Sequence, residues 1–71
     1  MAFSMGEKIR IVLRRKKMTI SNLATSIGTS RQNLTNKLNR DNFSEKELQQ
    51  IAEALECRFE GYFIFEGGEK V

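Results

Sequence analysis

Residues 20–40 read ISNLATSIGTSRQNLTNKLNR, and the reading of this stretch decides the architecture of the chain. Leu23, Ala24 and Ile27 place apolar side chains on one face of a short helix, with a very small residue available where a second helix crosses it. Gly28 follows, free to take the positive φ that a quick reversal needs. Ser30 is placed to cap the next helix by accepting a bond from one of its unpaired first amides. Leu34 and Leu38, four residues apart, turn one stripe of that second helix back onto the first. Its other face is polar throughout.

Outward from this unit, the pattern predicts a mostly α domain. Ser4 with Glu7 is a capping-box pair and starts a helix over 5–16, with Met5, Ile9, Val12 and Leu13 as its apolar stripe. Thr19 caps a second helix running to about Ile27, and a third spans 30–39. Asp41-Asn42 breaks the pattern. Ser44 with Glu47 forms another capping box, opening a fourth helix to about Glu56 that buries Leu48, Ile51, Ala52 and Leu55. Phe43, just before that cap, is placed to staple the chain entry to Leu48.

After Cys57 the texture changes. Residues 58–66, RFEGYFIFE, favour a β-strand that Gly67-Gly68 ends, with Phe59, Phe63 and Phe65 on one face and Tyr62 and Ile64 on the other. A lone strand leaves its backbone groups unpaired on both edges. No other segment reads as a partner strand, so the economical expectation is antiparallel pairing with the same segment of a second copy. The alternative is that the aromatics cover the helical core while the strand pairs weakly or with the short tail after Gly68. The expected organisation is thus residues 1–57 as the helical domain, with 58–71 as a strand and tail that serve dimerisation through Phe59, Tyr62, Phe63, Ile64 and Phe65.

Composition limits the function. The chain has 71 residues, enough for one domain and one small core. It has one cysteine and no histidine, which leaves neither a disulfide nor a metal-ligand set, and no nucleophile has a base beside it. No enzyme, cofactor or small-molecule effector is expected. No apolar run approaches a membrane span and no secretory signal pattern opens the chain, so a soluble cytoplasmic protein is expected. The net charge of +3 is unevenly spread: residues 1–40 carry nine Lys and Arg against the single acid Glu7, giving +8, and residues 41–71 carry −5. A polyanion is drawn to the half that holds the two-helix unit and repelled by the other.

At this point the chain resembles the Cro and phage-repressor (XRE-like) family of helix-turn-helix regulators, over roughly residues 4–57. The resemblance implies a compact four-helix fold that binds double-stranded DNA, with the second motif helix in the major groove and an action by operator occupancy, most simply repression. In some relatives a C-terminal strand makes the dimer. Two positions depart from the family pattern. Ile20 stands where a phosphate-contacting Gln is usual, and Lys37 stands where an apolar residue is preferred, with Leu38 next, which implies a different seating for the end of the reading helix.

At about 100° per residue, the face opposite Leu34 and Leu38 centres on Asn36, with Gln32 a turn earlier, Asn39 a turn later, and Arg31 and Thr35 flanking. Gln and Asn can pair bidentately with adenine, and Arg with guanine. Gln32, Asn36, Arg31 and Thr35 are therefore the expected base readers; the family's reading positions map onto Arg31, Gln32 and Asn36. Ser30, Asn33, Lys37 and Arg40, with Lys16 and Lys17 at the end of the first helix, are the expected phosphate contacts. A dimer would present two reading helices about 34 Å apart to an approximate palindrome. The competing reading is an antitoxin-like or adaptor module whose aromatic strand joins a foreign sheet. RNA binding fits less well, because the aromatics lie on the acidic half, away from the basic surface.

Overall fold

The structure, a computed structural model, describes residues 2–71 and contains four helices in chain order: α1 (Met5–Lys16), α2 (Ile20–Ser26), α3 (Arg31–Arg40) and α4 (Glu45–Ala54). Each helix starts where a side chain takes over a free amide. Ser4 Oγ accepts from Glu7 N at 3.2 Å while Glu7 Oε1 accepts from Ser4 N at 2.8 Å. Ser44 and Glu47 repeat the arrangement at α4. Thr19 does the same with Asn22, a partner less usual than Glu or Gln. At α3, Ser30 Oγ accepts from Asn33 N at 3.1 Å.

The helix ends differ more than the starts. Gly28 follows α2 at φ 76°, and Thr29 N closes back on Ala24 O at 2.9 Å. After α1, α3 and α4 the same left-handed position is held by Lys17, Asp41 and Glu56, at φ 55°, 57° and 54°. A side chain there costs about 1–2 kcal/mol that glycine avoids. Asp41 brings a compensating bond: its Oδ1 accepts from Gly6 N at 2.6 Å, capping the start of α1 from the end of α3.

Ile9 and Leu13 of α1, Leu23 and Ala24 of α2, Leu34 and Leu38 of α3, and Leu48, Ile51, Ala52 and Leu55 around α4 form the core, with Leu23 and Leu34 fully enclosed. Met5, Val12, Ile27 and Phe43 pack half-buried against it. No polar or charged residue among those described is buried, so hydrophobic burial carries the fold without internal ion pairs. α3 touches both α1 and α2, which fixes its angle in the molecule. The seating of its far end depends on a residue the stripe pattern did not single out. Gly6 is buried where α1 crosses α3, and a Cβ built there would overlap the Leu38 carbonyl oxygen and lie 3.2 Å from its carbonyl carbon.

The C-terminal segment corrects one expectation. A strand over 58–66 does not form; among the described residues there is a single antiparallel bridge, Ile64 with Lys70. Phe63 and Val71 exchange both backbone bonds at 2.6 and 2.9 Å, and Phe65 N donates to Glu69 O at 2.8 Å. Gly67-Gly68, read as the end of a strand, is instead its turn, with Gly68 at φ 89°. The pairing is thus the alternative one, with the tail after Gly68. Of the aromatics after Cys57, Phe59 alone joins the helical core, and its carbonyl accepts from Gln49 Nε2 at 3.2 Å.

Candidate nucleic-acid interface

With Leu34 and Leu38 turned inward, α3 offers solvent a face of Arg31, Gln32, Asn33, Asn36, Asn39 and Arg40. Helix α3 carries no acidic residue. The first acid after it, Asp41, has its carboxylate turned to the α1 amide. Of the expected base readers, Arg31, Gln32 and Asn36 are exposed and Thr35 is half-buried at the margin toward the core. Among the described residues, none of these four side chains has a hydrogen-bond partner in the chain. Their donors and acceptors face water and are available to base edges.

The expected phosphate contacts divide. Arg40 on α3, and Lys16 and Lys17 at the end of α1, are exposed cations. The Ser30 hydroxyl is engaged as a cap, and Asn33 reaches Thr29 Oγ1 at 3.5 Å, so both lie at the start of α3 with part of their capacity used. Lys37 is turned toward α4 instead, where its ammonium pairs with Glu47. The Lys37 bond and the bond from Ser44 N hold the Glu47 carboxyl below its ordinary value of 4.5. This explains the polar residue at the position where the family pattern prefers an apolar one: Leu38 takes the core place, and Lys37 bridges α3 to α4 at the surface.

One neighbour of the α3 face escaped the sequence reading. Arg10 of α1 donates from Nη2 to Asn39 Oδ1 at 3.1 Å, across 29 residues of chain. Nothing in a run of cations on α1 signals such a partner.

Residues 8–66 match the model of the Cro/C1-type helix-turn-helix DNA-binding domain. The chain belongs to that family. Comparison with curated proteins and with solved structures gave no match. The Cro/C1-type match covers all of α2 to α4 and continues through the aromatic residues to Glu66. No described helix is long and apolar enough to cross a membrane.

Beyond α4, this Cro/C1-type domain carries an exposed aromatic segment. Tyr62, Phe63, Ile64 and Phe65 are all exposed, Phe63 to 80%, together with Val71. Lys70 Nζ lies 5.2 Å from the centre of the Tyr62 ring, and the neighbouring Glu60 carboxylate raises the Tyr62 hydroxyl above its ordinary pKa. Because Phe63 and Phe65 face the tail, the backbone N–H and C=O groups of Tyr62 and Ile64 point to the opposite, unpaired edge.

Proposed function

We propose that this domain is a sequence-specific repressor that binds an operator in double-stranded DNA, with α3 in the major groove. The observation that carries the reading is the solvent face of α3, where Arg31, Gln32 and Asn36 stand exposed and, among the described residues, unpartnered, on a helix without acids. Gln32 and Asn36 suit adenine edges and Arg31 a guanine edge, with Thr35 at the margin. Arg40 at the end of α3, and the exposed Lys16 and Lys17 at the end of α1, would hold phosphates, setting register without reading sequence. Ser30 and Asn33 would add contacts from the helix start. Lys37 is the least available of the expected set because Glu47 holds it.

In this reading the protein acts as a homodimer on an approximate palindrome. The support is the free edge at Tyr62 and Ile64 beside the exposed Phe63 and Phe65, which suits antiparallel addition of the same edge from a second copy. Phe59 is left out of this role, since it packs on its own core. Occupancy of the operator, controlled by protein concentration and not by a small effector, then blocks transcription in the cytoplasm.

Selection of bound sequences from a randomised duplex pool tests the proposal. Enrichment of an approximate palindrome with half-sites about one helical turn apart is expected. Absence of enrichment even at low salt would overturn it and turn attention to the aromatic edge as a site for a foreign protein strand.

A further inference from the structure

The bridge between Arg10 and Asn39 joins α1 to the exposed face of α3. Its chemistry is one-sided. A guanidinium has only donors, so the Asn39 amide must present its oxygen to Arg10, leaving its NH2 group for solvent. The remaining N–H groups of the pair are donors as well, and the pair carries a full positive charge. The two acids nearest in sequence are occupied elsewhere, Glu7 by the Ser4 cap and Asp41 by Gly6 N. Such a group matches a ligand that only accepts.

Asn39 lies three residues beyond Asn36, about 60° around α3 and about 4.5 Å further along its axis. Base contacts come from the start of a reading helix, and its far end leaves the groove floor for the sugar-phosphate wall. We propose that Arg10 and Asn39 together clamp one phosphate of the operator strand, Arg10 both contacting it and holding the Asn39 NH2 toward it. This rests on the reading of α3 as the groove helix. It adds to the interface a contact from α1, in place of the one Lys37 gives up to Glu47.

The test is the salt dependence of binding to the selected duplex and to single-base variants of it, for the native chain, Arg10→Met and Asn39→Asp, with thermal melting of each. Arg10→Met should weaken binding to all sequences alike and lower the slope of log K against log salt by about 0.9. Asn39→Asp keeps an oxygen for Arg10 and so retains the bridge and the melting temperature, but replaces the donors with a carboxylate that repels phosphate. It should weaken binding at least as much as Arg10→Met. Native affinity and slope in Asn39→Asp would reduce the pair to a staple between helices and overturn the proposal. A loss confined to one base pair would also overturn it, by making Asn39 a base reader. A native chain that binds no duplex would fail the repressor reading and this one together, whereas native binding with unaltered variants would fail this one alone.

Discussion

Replacing Gly6 by Ala sets two effects of opposite sign against each other. Alanine is the better helix former, by about 1 kcal/mol in a helix interior and by less at the second position of α1. Against this, the new Cβ would overlap the Leu38 carbonyl oxygen and stand 3.2 Å from the carbonyl carbon and 3.4 Å from Cα. The obstacle is backbone, which cannot rotate away as a side chain does. Helix α1 must lift from the end of α3, which loosens Ile9 and Leu13 from Leu38 and lengthens the 2.6 Å bond from Gly6 N to Asp41. Overpacking of this kind costs about 1–3 kcal/mol, and loss of the Asp41 cap adds about 1 kcal/mol. The net expectation is a destabilisation of about 1–3 kcal/mol, or a fall in Tm of several degrees in a domain this small. Urea unfolding followed by circular dichroism measures it. Gly67→Ala, where a Cβ meets nothing within 4 Å, is the control. A Gly6→Ala protein as stable as the native one would refute the close-approach argument. The same substitution should weaken DNA binding by tilting α3, even though Gly6 lies outside the proposed interface.

Three other expectations concern caps, acid and the free edge. The Glu7 and Glu47 carboxyls both lie below their ordinary 4.5, Glu7 chiefly through the bond from Ser4 N and Glu47 chiefly through Lys37. Their stabilising effect is therefore complete above about pH 4.5 and is lost as pH falls through the depressed values; Glu7→Gln with Glu47→Gln should flatten the acid limb of stability against pH, and an unchanged limb would count against both bonds. Glu56→Gly should raise stability by up to about 1 kcal/mol by relieving a left-handed side chain, as read from the urea midpoint; a fall would mean that Glu56 makes a contact outweighing that relief. Ile64→Pro removes an N–H that the intrachain turn does not use, so it should leave the monomer folded and shift sedimentation from dimer to monomer, with Ile64→Val remaining dimeric; a dimeric Ile64→Pro would exclude pairing at that edge.

The helices were legible because their signals are local. Ser4 with Glu7, Ser44 with Glu47, and Gly28 each act within a few residues, and Leu34 with Leu38 repeat at helical spacing. What escaped the reading is what distance in the chain conceals. The Gly6 contact with Leu38, the Asp41 cap on Gly6 and the Arg10 bond to Asn39 each join residues about thirty or more apart, and none has a characteristic residue pattern. The tail Glu69-Lys70-Val71 is too short and too charged to read as a strand, yet two glycines suffice to fold it back on Phe63 and Phe65. On the α3 face, the exposure of Arg31, Gln32 and Asn36 follows from the leucine stripe alone. The turning of Lys37 toward Glu47 required the placement of α4.

Base reading by α3 is tested by Asn36→Ala, assayed on the selected operator and on every single-base-pair variant of it. A loss of about 1–3 kcal/mol at one base pair of each half-site, with discrimination relaxed there and retained elsewhere, is the predicted result. Affinity and discrimination equal to those of the native chain, or a loss spread evenly over all sequences, would contradict the account.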